Sequence, residues 1–186
     1  MTTADAPYPG AYWVIPGTLL AGAFPAGSDE ATTEQRLVAL LDAGVRSVIN
    51  LMDDEEETGL AGETHYVAYE DRLEALGEER GVVIEIVRYA IDEGSTPSDQ
   101  ELEMILDVVD AEIDGRNSPT LVHCSTGHGR TALVVGCYLA RHEIAVGSKI
   151  IDHIHKLRDI YPDLAGHKSP ENIVHERLIS RWKPQQ

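Results

Sequence analysis

Two apolar runs, Pro119-Thr120-Leu121-Val122 and Thr131 through Arg141 (TALVVGCYLAR), are joined by His123-Cys124-Ser125-Thr126-Gly127-His128-Gly129-Arg130. The first run is short and continuous, as a buried strand is; the second has the length and composition of an apolar helix. Cys124 therefore belongs on a strand-to-helix turn, with five residues between it and Arg130. Backbone N–H groups of such a turn converge on one point beside the positive end of the helix dipole, so an oxyanion is stabilised there. The same field favours a thiolate, the nucleophilic form of cysteine. Gly127 and Gly129 permit positive φ and close approach to a ligand, and the Arg130 guanidinium can hold two oxygens of a phosphoryl group at once. Thr131 is placed to hydrogen-bond the sulfur. Ser125 and Thr126 serve as spacers that lend backbone amides to the cradle, together with Gly127, His128 and Gly129.

The stretch His123-Cys124, five residues, Arg130-Thr131 resembles the signature of the cysteine-dependent protein tyrosine and dual-specificity phosphatases. Flanking segments carry the likeness further. Ala90-Ile91-Asp92-Glu93-Gly94-Ser95-Thr96-Pro97-Ser98 is similar to the general-acid loop of the mitotic-exit and cyclin-dependent-kinase-associated members. Tyr12-Trp13-Val14-Ile15-Pro16-Gly17-Thr18-Leu19-Leu20-Ala21-Gly22 and Ser169-Pro170-Glu171 resemble a compact bacterial branch.

This resemblance implies a phosphomonoester hydrolase working through a phosphocysteine, with Cys124 as nucleophile and Arg130 and the loop amides binding the phosphoryl oxygens. A carboxyl group must protonate the leaving oxygen and later activate water. Gapless matching puts Glu93 in the acid's place, whereas residue type and reach favour Asp92 with a one-residue shift of the loop; both stand as candidates. His123 supports the loop by hydrogen bonding. Asn172 and His175 fall where related enzymes place the hydrolytic water with a glutamine, which is absent from this segment. No cofactor is implied, and no metal-binding spacing is present. The implied substrate is phosphotyrosine, and phosphoserine or phosphothreonine, on proteins or peptides. Phosphoinositide or small-molecule phosphoesters are the alternative, disfavoured because His128 stands where inositide phosphatases carry a lysine. Two further classes stay open: a non-catalytic phospho-residue binding module, and an arsenate reductase or sulfurtransferase, which would want a second redox cysteine. Cys137 lies among Val134, Val135 and Leu139 and reads as core. An accessible thiolate at Cys124 would also be open to peroxide.

The 186 residues suit one domain, 1–186, with 1–10 set apart as a candidate flexible N-terminal segment. A formal net charge of −17 and a pI near 4.7 argue against nucleic-acid or anionic-membrane partners, which need basic patches. Two cysteines, and an N-terminus with neither basic nor apolar run, suit the cytoplasm.

Tyr12–Gly22 reads as a hairpin-like start. Helices are expected at Thr32–Ala43, Tyr69–Arg80, Ser98–Asp114, Gly147–Arg158 and Ser169–Trp182, and strands at Val45–Leu51, Val82–Tyr89 and Thr120–His123. Alternation of this kind predicts an α/β fold with a central, mostly parallel sheet of about four to five strands flanked by helices. Ligands of such sheets sit beyond the carboxyl ends of the strands, where Cys124 falls. The acidic run Asp53-Asp54-Glu55-Glu56-Glu57 reads as a solvated loop.

Overall fold

Short apolar runs separated by amphipathic segments produce the elements in the order that the alternation predicts. In the computed structural model, which describes residues 5–53, 56 and 67–183, β1 (Ala11–Ile15) and β2 (Leu19–Gly22) form a hairpin, followed by α1 (Glu30–Asp42) and β3 (Ser47–Asn50). Next come α2 (Glu70–Glu79), β4 (Glu85–Arg88), α3 (Asp99–Arg116) and β5 (Thr120–His123), then α4 (Arg130–Arg141), α5 (Lys149–Arg158) and α6 (Ile173–Arg181). Ser98 caps α3 with a full capping box: its hydroxyl accepts from the Glu101 N–H and the Glu101 carboxylate accepts from the Ser98 N–H. The fourth strand is shorter than Val82–Tyr89, because Val82 N–H bonds back to the Gly77 carbonyl and Val83 faces solvent.

The sheet runs β1-β2-β5-β3-β4, antiparallel only between β1 and β2. β5 is central, with Ala21 and Ile49 flanking Val122 in register and Gly22 and Asn50 flanking His123. Its strand is wholly buried, as is α4 from Arg130 through Ala140, so a helix apolar on all sides lies in the middle of the molecule. Cys137 sits inside this helix, and burial pushes its thiol pKa up, in keeping with a packing role.

Of the N-terminal segment, residues 5–10 are described. Tyr8 is buried and its hydroxyl donates to the Ala23 carbonyl at 2.7 Å, while Trp13 Nε1 donates to the Asp5 carbonyl, so the chain is anchored from Asp5 onward. No helix among the described residues is long and apolar enough to cross a membrane.

Candidate active site

Because β5 is central and parallel to both neighbours, the loop that follows it opens at the carboxyl edge of the sheet, beside the chain leaving β3 and β4. The loop folds tightly there. Gly127 has φ +73°, and a Cβ on it would lie 2.6 Å from the Gly22 carbonyl carbon and 2.7 Å from Ala23 N, so only glycine lets the loop rest on the end of β2. Phe24 N–H donates to the Ser125 carbonyl at 3.0 Å, a second tie to the same segment. Gly127 N–H in turn donates to Cys124 Sγ at 3.3 Å.

Cys124, Ser125, Thr126, Gly129 and Arg130 share one cavity of about 520 Å³ with Glu93. Its outer wall comes from Lys168, Glu171, Asn172, Ile173 and His175. Gly127 and His128 are not among its lining residues: Gly127 is packed on β2, and His128 Nδ1 donates to the Thr126 carbonyl at 2.7 Å, with the ring beside that of His167. Burial, with Arg158 nearby, depresses the His128 pKa. Thr131 does not reach the sulfur. β2 ends at Gly22, leaving its carbonyl as an acceptor for the first turn of α4, and the Thr131 hydroxyl donates to it at 3.3 Å.

The two carboxylates that the sequence leaves open are separated by the loop that carries them. Ile91 is buried as its anchor, the chain reverses at Gly94 (φ +74°), and Ser95 N–H and Oγ both bond to the Asp92 carbonyl, at 3.0 and 2.9 Å. Glu93 faces the cavity of Cys124, where its charge supports the Arg130 cation. Asp92 lines a different cavity, with Arg88, Pro97 and Met104.

Arg130 is held from several directions. Nη1 and Nη2 each lie 2.6 Å from one oxygen of Glu56, Nη1 donates to the Ile91 carbonyl at 3.0 Å, and Nη2 donates to Ser125 Oγ at 3.0 Å. Burial alone would disfavour the cation. The Glu56 hydrogen bonds and the facing Cys124 and Glu93 outweigh it, and the guanidinium pKa stays above its ordinary value. The solvated-loop expectation for the acidic run is therefore wrong at Glu56, whose carboxylate is 15% exposed and locked on Arg130. A buried guanidinium needs an anion, and this acid supplies it. Asp54, Glu55 and Glu57 lie outside the described residues.

His123 stands beneath the loop, fully buried. Its Nδ1 faces the Cys124 carbonyl at 3.3 Å and so carries the ring proton, while Nε2 accepts from the Tyr69 hydroxyl at 2.6 Å. Phe24 and Tyr69 pack edge-on against the ring. Tyr69 is a supporting residue that no local pattern marks, since it reads only as the start of a helix. Burial pushes the His123 pKa down from 6.5 to about 3, against the smaller raising effect of the Cys124 carbonyl. The folded protein thus binds one proton fewer than the unfolded chain between those pH values. The stability that this neutral histidine contributes is complete above pH 6.5 and is lost, at about 1.4 kcal/mol per pH unit, as pH falls toward 3. Urea unfolding at pH 7, 5 and 4 checks this: His123→Gln should show a shallower loss of stability than wild type, and parallel losses would contradict it.

The family model Tc-R-P, described as polymorphic toxin system, DSP-PTPase phosphatase, matches residues 21–144, from β2 into the turn after α4. Among solved structures, Tk-PTP in its active form is 21% identical, with a TM-score of 0.62 over 94% of this chain and 99% of that one. Kinase associated phosphatase, with its catalytic cysteine replaced by serine, is 18% identical, with a TM-score of 0.62 over 87% and 83%. PTPMT1 in complex with PI(5)P is 19% identical, with a TM-score of 0.61 over 93% and 94%. At these identities the structural likeness is one of fold.

Proposed function

This chain belongs to the DSP-PTPase phosphatase family of polymorphic toxin systems, and from that premise we propose that it removes phosphate from phosphotyrosine, and from phosphoserine or phosphothreonine, on proteins through a phosphocysteine. The observation that carries the reading is the meeting of Cys124, Arg130 and Glu93 on one cavity. In the first step the Cys124 sulfur attacks phosphorus, forming P–S as P–O breaks, and the Glu93 carboxyl gives its proton to the leaving oxygen. Arg130 and the N–H groups of the 125–130 loop hold the three remaining oxygens as charge shifts onto them. In the second, the Glu93 carboxylate takes a proton from water, the water oxygen attacks phosphorus, and the sulfur leaves as thiolate with release of inorganic phosphate. His123 and Thr131 fix the shape of the cradle, and Gly127 both packs the loop on β2 and gives its N–H to the Cys124 sulfur. The working thiol suits a reducing compartment such as the cytoplasm.

The charge around the cavity supports a singly phosphorylated substrate over an inositide bearing several phosphates. Among the described residues that line the cavity, Arg130 is paired with Glu56 and Lys168 with Glu176 at 2.9 Å, and Glu93 and Glu171 add negative charge. Ile173, half exposed at the rim, offers apolar surface to an aromatic ring. Phosphate release from a phosphotyrosyl peptide with basic neighbours should therefore be faster, in kcat/KM, than from a phosphatidylinositol phosphate in mixed micelles. The reverse preference would move the chain to the lipid class. Side by side on phenyl phosphate, Glu93→Gln should lower kcat by about 10²-fold or more and erase the limb of the pH profile that requires a protonated acid. Asp92→Asn should stay within about twofold of wild type, and an inverted result would reassign the acid.

A further inference from the structure

The loop that bears Glu93 is tied down on both sides, and one of the ties lies outside the stretch matched by the family. Upstream, Arg130 Nη1 donates to the Ile91 carbonyl at 3.0 Å, so the phosphate-binding guanidinium itself holds the loop's first half. Downstream, two consecutive carbonyls are taken by two side chains from the start of α6. Asn172 Nδ2 donates to the Gly94 carbonyl at 3.1 Å, and His175 Nε2 donates to the Ser95 carbonyl at 2.7 Å. Glu93 sits at the apex between these ties.

Both donors are fixed in orientation by their other contacts. Asn172 caps α6, its Oδ1 accepting from Val174 N–H at 2.8 Å, so Nδ2 is the atom left to face Gly94. His175 is 1% exposed, and since Nε2 meets a carbonyl oxygen it must carry the ring proton. α6 is itself seated firmly. A Cβ on Gly136 would lie 2.8 Å from Ile179, so the glycine lets α6 approach α4, the helix that Arg130 begins, at close range.

We propose that Asn172 and His175 form a clasp that holds the Asp92–Thr96 loop closed over the phosphate cradle, making them positioning residues for proton transfer by Glu93. The proposal rests on Glu93 being the proton donor. A carboxyl on a loop reaches the leaving oxygen only while the loop is closed, and a loop released from two backbone hydrogen bonds spends less of its time there. Placement of hydrolytic water, the role that the sequence position suggests for these residues, does not account for their direct bonds to the loop carbonyls.

A clasp acting through Glu93 predicts a dependence on leaving group. Phenyl phosphate, whose leaving oxygen must be protonated, and 6,8-difluoro-4-methylumbelliferyl phosphate, whose leaving group departs as an anion, separate the two roles. Asn172→Asp keeps the α6 cap and removes the donor; His175→Leu removes the second donor, and His175→Gln restores an N–H near the same place. The Asn172→Asp, His175→Leu pair should lower kcat/KM, which reports the step that forms the phosphocysteine, by about 10- to 100-fold on phenyl phosphate and by less than about threefold on the fluorinated substrate. His175→Gln should recover part of the loss. In a Glu93→Gln background the clasp substitutions should cost nothing further on phenyl phosphate, because there is no proton left to position. Equal losses on both substrates, or losses that add to those of Glu93→Gln, would overturn the clasp. Should His175→Leu fail to fold, Asn172→Asp alone carries the same test at smaller amplitude. If Glu93→Gln itself shows no leaving-group dependence, the acid assignment falls rather than the clasp alone.

Discussion

Cys124→Ser is expected to abolish turnover of p-nitrophenyl phosphate, with kcat falling on the order of 10⁴- to 10⁶-fold, as loss of a covalent nucleophile does elsewhere. A serine hydroxyl in this loop stays un-ionised, since a field that favours a thiolate falls far short of ionising an alcohol. The neighbouring His123 faces the Cys124 carbonyl and Tyr69. The loop should survive the exchange, because serine Oγ can accept the Gly127 N–H as Sγ does. The variant should consequently bind a phosphotyrosyl peptide by calorimetry while releasing no phosphate. Retained turnover would remove Cys124 from the chemistry. A wild type that binds under reducing conditions but never turns over would instead make the protein a phospho-residue binding module.

Arg130→Lys is expected to lower kcat by about 10³-fold or more, since a lysine cannot hold Glu56 with two N–H groups and still turn a further donor edge toward a phosphoryl group whose charge peaks in the transition state. It would also lose the second of two 2.6 Å bonds to Glu56 and the tie to the Ile91 carbonyl, so the acid loop loosens along with the oxyanion contact. Glu56→Gln dissects these effects. It keeps a hydrogen-bond partner for the guanidinium but leaves the buried cation unpaired. A loss of stability of about 3 kcal/mol and a drop in kcat of about 10-fold are expected, with KM for the phosphoester moving less than kcat. Steady-state kinetics and thermal unfolding of the two variants check this. A Glu56→Gln protein as active and stable as wild type would show that the ion pair does not hold Arg130 in place.

How much of this was legible in the chain follows from whether the needed contacts were local. The strand, loop and helix around Cys124 are contiguous, and their hydrophobic periods change at the polar stretch, so element type and the place of the loop at the carboxyl edge of the sheet could both be read. The antiparallel start, the parallel sheet and the order of alternation followed for the same reason. Glu56 could not be recognised: an acidic run has the composition of solvated loop, and its partner lies 74 residues away. Which of Asp92 and Glu93 lines the cavity of Cys124 follows from the reversal at Gly94 and the turn closed by Ser95, whereas spacing treats neighbours alike. Thr131 meets the end of β2 and not the sulfur because the helix start turns its hydroxyl there, a direction that spacing alone does not carry. Asn172 and His175 were singled out by position, yet their partners, 78 and 80 residues upstream, are visible only once α6 is packed on α4.

A covalent phosphocysteine is the central intermediate of the proposed reaction. Wild-type protein mixed with p-nitrophenyl phosphate, quenched in acid within one turnover, digested and examined by mass spectrometry should yield a phosphoryl group on the peptide containing Cys124, and the same treatment of Cys124→Ser should yield none. Turnover with Cys124 unmodified, or with the phosphoryl group on another side chain, would contradict it.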